Sequence, residues 1–184
     1  VETFRQAWWP IAMDSMHSDD GIETFRMISR IYVGLASALA VILALISPWV
    51  MKLITGPEFH HAWPIMTILV WQPIFYGFFL IATAGIWKLE KTYLNFYIMI
   101  CAAVIAVLLN WLIVPQWGNL GAASSTVLTY FIWILISLIV SERLWSIKFP
   151  LFVIFTQLTL GFGITKFLIH INPMNLNFSS LLVI

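Results

Sequence analysis

The chain has 184 residues, 61% of them hydrophobic and 9% charged, with a formal net charge of +1. A water-soluble domain carries roughly 25% charged residues because its surface must be hydrated. This chain cannot supply such a surface, and without a basic run to neutralise a row of phosphates it is no nucleic-acid binder either.

In chain order, Val1-Glu2-Thr3-Phe4-Arg5 is polar and carries no signal-peptide pattern, so the chain is expected to be a piece of a longer protein. Ala7-Trp8-Trp9-Pro10-Ile11-Ala12-Met13 is too short to cross a bilayer and reads as the end of a span whose start is missing. Residues 14–30 mix both charges; Ile22, Phe25, Met27 and Ile28, with Arg26 and Arg30, suggest an interfacial helix feeding the first full span.

A helix needs about 20 apolar residues to cross roughly 30 Å of hydrocarbon. Five stretches qualify, at 31–54, 64–87, 93–114, 120–140 and 150–171, and Leu181-Leu182-Val183-Ile184 opens a further partial one. The connectors are short: Gly56-Pro57 breaks 55–63, 88–92 is a charged turn, 115–119 a Pro/Gly turn, 141–149 polar and basic, and Asn172-Pro173 starts 172–180. Barrel strands would be segments of about ten residues with alternating polarity. These runs are longer and apolar on every side, so the expected fold class is all-α: a polytopic transmembrane helical bundle, one domain over 1–184, with about five complete spans.

Lys and Arg give the orientation. Arg26 and Arg30, Lys88 and Lys91, and Arg143 and Lys148 all fall in alternate connectors, which are expected in the cytoplasm. The connectors at 55–63, 115–119 and 172–180 are expected outside. Many of the 10 Trp sit near span ends, as in an interfacial belt.

No catalytic constellation stands out. Cys101, the only cysteine, excludes an internal disulfide and reads as a small packing residue. Asp19-Asp20 and His60-His61 beside Glu58 lack further ligands at metal-site spacing, and His170 ends a span. No metal or other cofactor is expected.

Polar groups inside the spans are more informative, because ionisable groups in hydrocarbon usually face a bundle interior or an aqueous cavity. Lys166 lies near an outer span end and reads first as a snorkelling side chain. Arg5, three residues after Glu2 and on the same helical face, pairs with it or offers a phosphate its planar, permanently charged donors. Gln72, Tyr76, Asn95, Asn110, Gln157 and Thr165 are neutral polar residues whose default role is hydrogen bonding between helices. Gly121-Ala122-Ala123-Ser124-Ser125 and Gly161-x-Gly163 read as close-packing segments.

The order of these pieces resembles the C-terminal half of polysaccharide biosynthesis flippases, the Wzx type of the multidrug/oligosaccharidyl-lipid/polysaccharide exporter superfamily. The likeness rests on Ala7-Trp8-x-Pro10, Thr55-Gly56-Pro57-Glu58-Phe59 with Ala62, Tyr76-Gly77 and Lys91-Thr92. Its most specific part is Asn110, then Ile113-Val114-Pro115, Gly118-x-x-Gly121-Ala122-Ala123 and Thr126. It covers about residues 4–150; no such motif marks 151–184.

The resemblance implies that the complete protein flips an undecaprenyl-pyrophosphate-linked oligosaccharide across the bacterial inner membrane, for O-antigen or another surface polysaccharide. Two helical lobes would rock around a central cationic cavity. The implied partners are that lipid-linked oligosaccharide, membrane lipids and glycan polymerase machinery. Arg5 is then the first candidate substrate contact, with Gln72, Tyr76 and Asn110 as a polar lining. The first lobe is missing, so this chain alone is expected to be inactive. The nearest rivals are a lipid II flippase and another exporter of the superfamily, although a drug/cation antiporter should carry embedded carboxylates and none lies in the full spans. A glycan polymerase or ligase is the enzymatic rival, and short external connectors argue against it. A structural membrane subunit is the last alternative; it predicts that Arg5 and the polar span residues are replaceable.

Overall fold

The computed structural model describes residues 2–171, and every regular element among them is helical. Val1, the expected connector at 172–180 and the expected partial span at 181–184 lie outside the described residues.

Helix α1 (Glu2–His17) leads through residues 18–20 into α2 (Gly21–Ile54). The two run antiparallel, with the Phe4 ring 4.5 Å from Tyr32 and the Trp8 ring 5.2 Å from Phe25. Sequence placed the first span at 31, behind an interfacial helix; α2 instead runs unbroken from Gly21. The reason is a continuous buried stripe of Gly21, Phe25, Ser29 and Val33, extended by Ser37, Ala40, Ala44 and Ser47. The charges that suggested an interface lie off that stripe. Arg26 is held by Glu23 at 3.6 Å and donates through Nε to the Ile147 carbonyl at 2.6 Å.

A 3-10 turn (Pro57–Ala62) reverses the chain. The return path is three consecutive helices, α3 (Trp63–Leu69), α4 (Trp71–Ala82) and α5 (Ala84–Lys88). The breaks have local causes. Pro73 has no N–H for the carbonyl of Leu69, four residues back, and the first break falls there. At the second, Thr83 bonds back to the Phe79 carbonyl at 3.0 Å, a pattern that bends helices. The path is antiparallel to α2: Ser47 Oγ meets Thr67 Oγ1 at 2.6 Å, and Tyr32 Oη donates to the Ile74 carbonyl at 3.3 Å.

Helix α6 (Tyr93–Leu144) contains 52 residues. A straight helix of that length would reach roughly 78 Å. It is a hairpin of two arms, 93–117 and 119–144, hinged at Gly118, whose φ of 54° and ψ of −131° are not helical. The proof is a hydrogen bond of 3.0 Å from Ser125 Oγ to Asn110 Oδ1. Fifteen residues along one straight helix would separate these by roughly 22 Å. Gly121 permits the close approach, since a Cβ there would stand 2.7 Å from the Ile113 carbonyl oxygen. The expected turn at 115–119 is thus present, compressed to one residue.

The second arm runs alongside α4 and α5, from the Gln72–Tyr130 hydrogen bond to a 2.8 Å bond from the Gly85 amide to Ser141 Oγ. A short strap leads to α7 (Leu151–Ile171), which lies parallel to α2, with Gln157 beside Gly34 and Gly161 beside Ser37. Residues 18–20, 88–92 and the strap gather at one end of the bundle. There Lys88 Nζ sits 3.8 Å over the Trp145 ring, which meets the Phe25 ring at 5.5 Å. Lys91 and Lys148 lie in the last two of these connectors, whereas residues 18–20 carry no Lys or Arg and Arg26 and Arg30 fall inside α2.

Three stretches, Gly21–Ile54, Pro57–Lys88 and Tyr93–Leu144, are long and apolar enough to cross a membrane. Trp8, Trp63 and Trp71 are buried, with Phe25 packed on the Trp8 ring and Phe75 and Phe162 on the Trp71 ring. Cys101 is exposed on the first arm of α6 rather than packed.

Candidate functional site

Gln72 and Tyr76 are four residues apart on α4 and so share a face. Tyr130 and Trp133, three apart on the second arm of α6, face them. Gln72 Nε2 donates to Tyr130 Oη at 3.1 Å. Gln72, Pro73, Tyr76 and Tyr130 line a cavity of about 360 Å³. Tyr76 and Tyr130 are its aromatic lining, and the Trp133 ring packs behind them, 6.2 Å from Tyr76, 5.6 Å from Tyr130 and 4.2 Å from Phe79. Trp133 Nε1 is buried without a hydrogen-bond partner among the described residues. Pro73 is exposed, so the cavity opens outward.

Two of the four candidate residues read from sequence therefore come together, although nothing local joins them to α6. Tyr130 and Trp133 were not singled out; their i, i+3 spacing places both on one helical face and was the available signal. The amide of Gln72 keeps a second donor and its carbonyl oxygen for another partner.

Arg5 sits in the first turns of α1. Its neighbour Phe4 packs on Tyr32, and Tyr32 Oη reaches the Pro73 carbonyl at 3.4 Å, which places the start of α1 at the level of the cavity. Arg5 Nη2 pairs with Glu2 Oε1 at 2.6 Å, with side chains 50% and 61% exposed. An ion pair so open contributes only ~0–1 kcal/mol. The guanidinium is thus reachable, with a competing carboxylate beside it.

Asn110 does not line this cavity. Its Nδ2 donates to the Ala106 carbonyl at 2.8 Å and its Oδ1 accepts from Ser125, so the side chain closes the α6 hairpin. Thr165 Oγ1 accepts from Trp71 Nε1 at 3.3 Å, again joining two helices. Asn95 Oδ1 and Gln157 Oε1 are buried without partners among the described residues. Lys166 is exposed on α7. Among the described residues no three His, Cys, Asp or Glu side chains gather as a metal site would require. No family model, curated protein or solved structure matches the chain.

Proposed function

We propose that this chain is the second lobe of a flippase that carries an undecaprenyl-pyrophosphate-linked oligosaccharide across the bacterial inner membrane. In this reading the chain crosses the membrane five times: α2, the α3–α5 path, the two arms of α6, and α7. Each crossing runs against the one before it. The connectors rich in Lys and Arg face the cytoplasm.

The observation that carries the reading is the open cleft holding Gln72, Tyr76 and Tyr130, with Arg5 at its level. Aromatic faces and a few convergent polar groups suit a saccharide, and a reachable guanidinium suits a pyrophosphate. The sequence resemblance supplies the direction of transport and the cargo.

The test is deletion of the full gene, with surface polysaccharide and lipid-linked repeat units measured on each leaflet. Loss of surface glycan with repeat units held on the cytoplasmic leaflet is expected. Repeat units that reach the outer leaflet and remain unpolymerised would instead make the protein a polymerase or ligase. Unchanged glycan would remove it from this pathway.

A further inference from the structure

Tyr32 of α2 touches both helices that carry the candidate site. Its ring packs on Phe4 of α1, with centroids 4.5 Å apart. Its hydroxyl donates to the carbonyls of Ile74 and Pro73 on α4, at 3.3 and 3.4 Å. Phe4 immediately precedes Arg5, and Pro73 lines the cleft beside Gln72. One phenol therefore bridges the helix that bears the guanidinium and the helix that bears Gln72 and Tyr76.

Only one end of this bridge needs a phenol. Phenylalanine would keep the ring contact with Phe4. Holding α4 requires the hydroxyl, and the two carbonyls can accept it because each has a second lone pair beyond the one its own helix uses. Gly77 makes the approach possible: it is buried, and a Cβ at that position would overlap the Tyr32 hydroxyl. The anchor has a purpose on α4, which is broken off from α3 at Val70 and from α5 at Thr83. The turns beyond it hold it less firmly than an unbroken helix would, so lateral contacts set its position.

We propose that Tyr32 is a positioning residue. It sets the spacing between the Arg5 guanidinium and the cleft of Gln72, Tyr76 and Tyr130, and so between the pyrophosphate and the sugar of a ligand held by both. The role rests on the flippase reading. Changing the spacing leaves the groups of each subsite in place; what it alters is whether one ligand can engage both at once.

The experiment uses the full chain in nanodiscs and three soluble probes: inorganic pyrophosphate, a free disaccharide, and the same disaccharide carrying a 1-pyrophosphate. The linked probe should bind wild type at least about 100-fold more tightly than either half. Tyr32→Phe should weaken the linked probe about tenfold, roughly what one hydrogen bond contributes, while both halves bind as before. Gly77→Ala, which displaces the hydroxyl, should do the same. A merely structural role would weaken all three probes together or none of them, and either pattern in Tyr32→Phe would overturn the proposal. So would a linked probe that gains nothing over its halves in wild type. Wild-type chain that binds neither half would instead overturn the reading of the cleft itself, and the positioning role with it. Tyr32→Phe alone decides the matter if Gly77→Ala fails to fold.

Discussion

Replacing Gly118 with alanine isolates the energetics of the α6 hairpin. The residue combines φ 54° with ψ −131°, and an added Cβ would have nothing within 4 Å, so packing is not disturbed. What remains is the backbone cost. Side-chain-bearing residues in sparsely populated φ/ψ regions lose about 1–3 kcal/mol. That corresponds to a shift of ~5- to 160-fold in the folding equilibrium. Asparagine, which tolerates the left-handed helical well, should not rescue it, because that well lies at ψ of about +30° to +60°.

The assay is unfolding of the purified chain by SDS in mixed micelles, read beside a crosslink. In a Cys101→Ala background, cysteines at 110 and 125 report hairpin closure, since the native Oδ1–Oγ distance is 3.0 Å. A disulfide needs its Cα atoms within about 7 Å, whereas a straight helix would hold them roughly 22 Å apart. Wild-type Gly118 should give a high disulfide yield; Gly118→Ala should lower both yield and unfolding midpoint. Equal midpoints and yields for glycine, alanine and asparagine would refute the backbone argument.

Three further outcomes are expected. Glu142 accepts the Lys148 and Phe149 amides at 3.2 and 3.1 Å, so Glu142→Ala should speed hydrogen exchange and proteolysis at the strap, at a cost of about 1–3 kcal/mol. Gly85→Ala drives a methyl group onto the Ser141 carbonyl and should lower the thermal unfolding midpoint through an overpacking cost of about 1–3 kcal/mol. Tyr130→Phe removes the acceptor of Gln72 but keeps the ring, so under the proposed function it should reduce glycan export in complementation while leaving protein level unchanged, at ~0.5–1.5 kcal/mol of lost hydrogen bonding.

Sequence made the helical class legible because the apolar runs are long and the breakers strong. Pro115 and Gly118 marked the hairpin, and α7 begins at Leu151 against an expected 150. The start of α2 was not legible: Glu23, Arg26 and Arg30 raise the local charge, and only the three-dimensional cover from α1 and the strap shows that Phe25, Ser29 and Val33 are buried. The cleft was half legible. Gln72 and Tyr76 stand out as polar groups in an apolar run, but their partner Tyr130 lies 58 residues away. Asn110 looked equivalent to Gln72 in composition. Its use was decided by Ser125, which only a hairpin brings within reach.

The cleft and a second cavity beside α7 divide the second arm of α6 by surface chemistry. On one side Tyr130 faces α4 across a cleft that holds the half-free Gln72 amide. On the other, Val127, Leu128 and Phe131 face α7 with hydrocarbon, beside the Ser124 hydroxyl. Consecutive residues such as Tyr130 and Phe131 point roughly 100° apart on a helix, so one arm presents a polar wall and an apolar wall without any break in its backbone. If the proposed cargo is correct, exchanging the character of the walls should separate their roles. Tyr130→Phe should weaken export of lipid-linked glycan, whereas Gly163→Leu, which adds its side chain in open space on the far side of the arm, should leave export unchanged. Loss of export from Gly163→Leu would mean that the arm moves as one body whose two faces are energetically coupled.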